Sequence, residues 1–150
     1  MNPSVNITTS LDSAYEACRL ETAEWAKTFY LGTLLLPPAK RRAIWAIYVW
    51  CRRTDELMDS PEAQALPVSE LADRLDGWEE KTRAVFSGCV DDDLDAVMAD
   101  TLERFPQSIQ PYLDMIEGQR MDLTWTRYPR FDDLKLSCYR VAGTVCVMTQ

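Results

Sequence analysis

Between Pro37-Pro38 and Ser60-Pro61 lies a stretch of 21 residues, 39–59, with no glycine and no proline. Its centre, AIWAIYVWC (Ala43–Cys51), carries no charge. A proline suits the first turn of a helix and cannot continue one, so the flanking prolines frame a helix over 39–59. At ~1.5 Å per residue it is ~30 Å long, the width of a small domain. Its middle is apolar on every side, and such a helix belongs inside a bundle. The charges crowd instead into one end, CRRTDELMD (Cys51–Asp59).

The remaining segments also have helical period. Leu11, Ala14/Tyr15, Cys18, Trp25/Ala26 and Phe29 form a stripe that begins at a Ser10 cap and runs through FYLGTLLL. Residues 1–9 are polar and expected to be disordered. EAQALP reads as a loop. Ser69 caps a third helix carrying Leu71, Leu75, Trp78, Thr82 and Val85, and Gly88 closes it. Helices follow over about 92–105 and around Ile109, Tyr112 and Ile116. A sixth opens at Asp132 or Asp133, with Leu134, Cys138, Val141, Val145 and Met148 on one face. No strand-like alternation competes. The expected fold class is all-α, one domain over 1–150 with about six helices. The sixth has no stop signal, so the sequence reads as an incomplete domain.

Composition narrows the chemistry. There is no histidine, which removes Ser-His-Asp and Cys-His catalysis and every His-ligated metal. Five cysteines without a C-x-x-C read as reduced thiols, not a zinc site, and point to a cytoplasmic protein. Net charge is −8, which argues against nucleic acid as a partner. No apolar run approaches ~18 residues, so no spanning helix is expected. What remains open is hard cations on carboxylates, Mg²⁺ or Mn²⁺.

Asp55 and Asp59 are four apart on the apolar helix, so their carboxylates share a face. Stepping back by threes and fours, that face carries Arg52 or Cys51, then Tyr48, then Ile44. Mg²⁺ takes oxygen ligands, often one or two carboxylates with substrate phosphates. Arg52 would add positive charge, and the apolar length of the helix would line a pocket for a hydrocarbon. Such a site takes an amphiphile with a diphosphate head and a greasy tail. A charged helix end emerging into water explains the pair equally well from spacing alone. A second D-x-x-x-D, Asp91 and Asp95, follows Gly88 and reads as a solvated helix terminus complementing the dipole. Trp45 and Trp50 read as core packing, and Thr28 fits a residue bonding its own backbone as well as it fits a site residue.

KTFYLGTLLLPPAKRRAIWAIYVWCRRTDELMDSPEA (Lys27–Ala63), IEGQRMDL (Ile116–Leu123) and YRVAGTVCVM (Tyr139–Met148) resemble, in this order, the squalene/phytoene synthase family, in its cyanobacterial and plant-like branch. The resemblance implies an isoprenoid-synthase helical bundle. It also implies head-to-head condensation of two geranylgeranyl diphosphates to phytoene through prephytoene diphosphate, in carotenoid biosynthesis. By position, Asp55 and Asp59 correspond to the first aspartate-rich motif, the Mg²⁺ ligands, with Arg52 and Tyr48 beside them. Lys27, Thr28, Phe29 and Tyr30 correspond to the segment at the pocket mouth. Val141, Ala142 and Val145 correspond to the wall of the prenyl channel, and Asp122 to an acid of the central helix. The second aspartate-rich motif of the family would lie past the last residue, so these 150 residues alone are expected to be inactive. Lys135, Ser137, Arg140 and Cys146 depart from the family pattern. Two rivals stand beside this. One is a squalene or dehydrosqualene synthase using farnesyl diphosphate; the other is a non-catalytic helical interaction protein. Peripheral contact with a membrane is compatible with lipophilic substrates, and the oligomeric state is left open.

Overall fold

The computed structural model describes residues 3–124. In chain order the elements are α1 (Pro3–Trp25), α2 (Lys27–Thr33), α3 (Pro38–Asp59), α4 (Pro61–Gln64), α5 (Val68–Phe86), α6 (Asp93–Arg104) and α7 (Gln110–Thr124). Every regular element among the described residues is helical. The sixth helix expected from Asp132 onward lies outside them.

The proline-framed helix is α3, and it is the axis of the bundle. It packs against α1, α4, α5 and α6. Ala43 through Ile47 and Val49 through Cys51 are all buried. Around them gather Tyr15 and Cys18 of α1, Leu75 and Val85 of α5, Val97 and Met98 of α6, and Tyr112, Met115 and Ile116 of α7. Trp45 and Trp50 are core residues, as their spacing suggests.

The core contains threonines among its tryptophans. The hydroxyl of Thr54 donates to the carbonyl of Trp50 at 2.9 Å, and so remains able to accept the indole N–H of Trp78 at 2.7 Å. Thr33 does the same, donating to the Tyr30 carbonyl (2.6 Å) and accepting from Trp45 Nε1 (2.8 Å). Each indole donor is thereby satisfied inside the fold. The buried Tyr15 hydroxyl, on α1, donates to Asp100 Oδ2 of α6 at 2.7 Å. Burial pushes its pKa well above the ordinary tyrosine value.

Several boundaries differ from those expected. Residues 3–9 are helical, and Ser10 lies inside α1, not at its cap. Pro3 sits at the start, where its missing N–H costs nothing, and nothing between it and Ser10 stops the helix. The first stripe is one helix only as far as Trp25. Ala26 breaks it with φ −142° and ψ 65°, although its N–H still bonds Thr22 O (2.9 Å) and its carbonyl still accepts from Tyr30 (2.8 Å). Neither glycine nor proline marks this kink. Packing sets it, since the turn lays Phe29 on Tyr48 and Tyr30 on Trp45, with ring centroids 5.7 and 5.9 Å apart. EAQ is helical, because Ser60-Pro61 both stops α3 and starts α4: the Ser60 side chain accepts from Ala63 N. Ser69 lies in the first turn of α5, behind Pro67 at the cap.

Gly88 closes α5 with φ +95°, a conformation that side chains disfavour, and Cys89 N returns to Ala84 O at 2.9 Å. The second acid cluster caps α6, but through Asp92, which accepts from Asp95 N at 2.8 Å. Asp95 is not solvated. It is buried, and Lys81 reaches both Asp92 and Asp95 at 2.8 Å. Lys81 spans from α5 to the start of α6, so the pair works as a tertiary tie. No described helix is long and apolar enough to cross a membrane.

Candidate active site

α3 carries its acids one turn apart at its C-terminal end. Asp55 is half-buried and Asp59 exposed. Burial raises the Asp55 pKa first, the hydrogen bond with Asp59 and its charge raise it further, and Arg52 opposes; the result is about 7. A proton held on Asp55 offsets the repulsion between the two carboxyls. The Oδ1 atom of Asp55 is buried with no hydrogen-bond partner. A carboxylate oxygen left this way has acceptor capacity in reserve.

Arg52 is held from α1. Its guanidinium stacks on the Trp25 ring, 3.8 Å from the centroid, with Nε 3.1 Å from Glu56 Oε1 and 3.8 Å from Glu21 Oε2. Arg53 binds Glu21 more closely, at 2.7 and 3.0 Å. Glu21 thus anchors both arginines of the charged cluster to α1, and the charges at this end of α3 form a tertiary network. Sequence spacing could not show Glu21 in that part, because nothing local connects residue 21 to residues 52 and 53.

Tyr48 lies two turns before Asp55 on the same face, half-buried against Phe29. Tyr30 is tied elsewhere: Arg19 donates to its hydroxyl at 3.1 Å, and its ring meets Trp45. Lys27 and Thr28 open α2 at exposed positions. The structure thus sets Arg52, Asp55, Asp59 and Tyr48 along α3 with Phe29 against Tyr48, and α2 opens with Lys27 and Thr28 just after Trp25, the ring that carries Arg52, while Tyr30 lies further along α2 at Trp45. Val141, Ala142 and Val145 lie outside the described residues, as do Lys135, Ser137, Arg140 and Cys146. Asp122 is on α7, and its side chain also lies outside the description.

The pair fits a hard divalent cation. It offers two carboxylates on adjacent turns, one oxygen unsatisfied and one proton that a cation would displace. No group of three or more potential ligands occurs among the described residues.

The sequence model of squalene/phytoene synthase matches residues 22–150. The chain belongs to the squalene/phytoene synthase family. Within it, this chain is similar to the 15-cis-phytoene synthase of Synechocystis sp., at 57% identity over 99% of this chain and 43% of that one. Chloroplastic phytoene synthase 1 of Arabidopsis thaliana is 57% identical over 93% of this chain and 32% of its own length. The chain therefore spans under half the length of these relatives. Among solved structures, a dehydrosqualene synthase superposes with a TM-score of 0.69 at 28% identity, covering 95% of this chain and 48% of that one. A squalene synthase from Alicyclobacillus acidocaldarius gives 0.68 at 26% identity. The family's helical bundle is the fold described above.

Proposed function

We propose that this chain forms part of a phytoene synthase, a prenyltransferase that joins two geranylgeranyl diphosphates head to head through prephytoene diphosphate. The observation that carries this is the pairing of exposed Asp59 with half-buried Asp55, one oxygen of which is orphaned, at the end of an apolar helix lined by Tyr48 and Phe29. Bare spacing left a solvated helix end possible. A pKa raised by burial and an unsatisfied carboxylate oxygen favour a ligand instead. Relatives at 54–59% identity are phytoene synthases, whereas the squalene-type structures share only 26–28%, so the geranylgeranyl reading is preferred to farnesyl.

Asp55 and Asp59 would hold Mg²⁺ or Mn²⁺, which when bound neutralises the departing diphosphate. The residues of this chain do the rest of the work at this end. Trp25, Glu21 and Glu56 fix Arg52, so its positive charge is preorganised beside the acids. Tyr48 and Phe29 present aromatic faces along the helix, able to stabilise an allylic cation and to keep water from it. We also infer peripheral contact with lipid surfaces. Leu31, Leu34 and Leu35 stand exposed at the α2–α3 turn, and both substrate and product are lipophilic.

A chimera tests the assignment. Residues 1–150 replace the matching segment of the Synechocystis synthase, and extracts are assayed with each prenyl diphosphate and Mg²⁺. Phytoene from geranylgeranyl diphosphate is expected, with loss of product in the Asp55→Ala chimera. A product only from farnesyl diphosphate, or full activity without Asp55, would overturn the assignment.

A further inference from the structure

Arg52 and Arg53 are neighbours in sequence and meet the same two glutamates, yet they are held differently. Arg53 grips Glu21 with both terminal nitrogens, at 2.7 and 3.0 Å, and reaches Glu56 Oε2 at 3.4 Å. Arg52 lies 3.8 Å from Glu21, beyond hydrogen-bond length. Its Nε is 3.1 Å from Glu56 Oε1, in a geometry that makes no hydrogen bond. The closest support of Arg52 is the neutral ring of Trp25, whose centroid is 3.8 Å from the guanidinium carbon.

Helix geometry explains the division. Arg52 shares its face with Asp55 and Glu56, three and four positions on. Arg53 is turned a further ~100° about the axis and meets α1 at Glu21. The Glu21 side chain is only 20% exposed, so water screens its charge poorly and a cation must meet it. Arg53 does so with two hydrogen bonds. The other cation within ion-pair distance of Glu21 among the described residues is Arg52, roughly 0.8 Å short of a hydrogen bond.

The two modes of support differ in what they consume. A carboxylate takes up the in-plane N–H groups of a guanidinium, the same groups that bind a phosphate oxygen. An aromatic ring takes only its face and leaves those groups for another acceptor. Arg52, on its ring, is the arginine one turn from Asp55. Arg53 takes the glutamates.

We propose that Arg53 is a positioning residue of the Asp55/Asp59 site: by occupying Glu21 and sharing Glu56 it keeps both carboxylates from closing on Arg52, whose N–H groups then serve the diphosphate. This rests on the function proposed above. Arg53 touches no ligand in this arrangement and acts through the glutamates. The charged cluster at the end of α3 thus has one arginine for the substrate and one for its competitors.

The test titrates the 150-residue chain with inorganic pyrophosphate and Mg²⁺ in a calorimeter. Arg53→Met should weaken binding roughly ten-fold, because pyrophosphate must then displace Glu21 from Arg52, a competitor worth one charge-assisted hydrogen bond. Adding Glu21→Gln to Arg53→Met should restore most of the affinity. Both variants lack the Arg53–Glu21 bridge, so a bridge that merely tied α1 to α3 would leave them binding alike. A loss that Glu21→Gln does not restore overturns the proposal, since Arg53 would then be a tie or a direct ligand contact. Wild-type affinity in Arg53→Met overturns it too. Circular dichroism checks that each variant folds. Should Arg53→Met not fold, Arg53→Lys takes its place: one ammonium holds Glu21 less completely, and a smaller loss, again restored by Glu21→Gln, is expected. No loss in Arg53→Lys then overturns the proposal. Asp55→Ala separates the two ideas. If it abolishes binding while Arg53→Met does not weaken it, the site stands and the Arg53 role falls. If the wild-type chain binds no Mg²⁺–pyrophosphate, or binds it without Asp55, both fall.

Discussion

Asp55→Asn should make the protein more stable in the absence of metal. In the folded chain the Asp55 pKa rises from 3.8 to about 7. The folded state therefore holds a proton that the unfolded chain gives up. Stability from this proton is complete below about pH 4 and is lost as pH rises through about 7. At ~1.4 kcal/mol per unit, a dry pair would forfeit ~4 kcal/mol. Solvent reaches the half-exposed Asp55 and screens the repulsion, which leaves ~1–2 kcal/mol. For a chain of this size that is ~2–8 °C in melting temperature. Thermal melts of wild type and Asp55→Asn from about pH 4 to pH 8 should show a difference near zero at the acid end. It should grow steadily in favour of the variant towards alkaline pH. Added Mg²⁺ should then stabilise the wild type and leave the variant unmoved. A variant less stable than wild type at pH 8, or a difference that does not change with pH, would show that Asp55 is a solvated surface carboxylate and remove the basis for placing a cation there.

Two further substitutions probe the frame around the site. Thr54→Val removes the acceptor of the Trp78 indole and should cost ~1–3 kcal/mol by chemical denaturation, despite conserving volume. Lys81→Met leaves Asp95 buried without its cation and should cost ~3 kcal/mol at neutral pH, with most of the loss recovered in Lys81→Met/Asp95→Asn.

The bundle was legible where hydrophobic period and punctuation agree. The prolines framed α3 to within a residue, Gly88 closed α5, and the two central tryptophans were placed in the core. Legibility failed where tertiary contacts override local signals. The kink at Ala26 has no breaker residue and exists because Phe29 and Tyr30 must reach α3. Ser10 and Ser69 had the chemistry of caps, but prolines upstream started their helices first. At the site, Asp55, Asp59 and Tyr48 follow from helical spacing alone. Glu21 and Trp25 do not, since both reach Arg52 from α1. Asp95 shows the converse: a spacing identical to that of Asp55 and Asp59 proved to be a buried tie to Lys81, because a cation from α5 was within reach.

The threonine–indole couples have a consequence for how this interior can evolve. A hydroxyl that gives its own proton to the preceding turn while receiving another from a neighbouring ring links two positions 24 or 12 residues apart in the chain. Drift at either member alone strands a polar atom in a water-poor place, so the partners are expected to change in concert. Homologues that replace Trp78 by phenylalanine should be free to lose Thr54, and those that keep the indole should keep an oxygen to meet it.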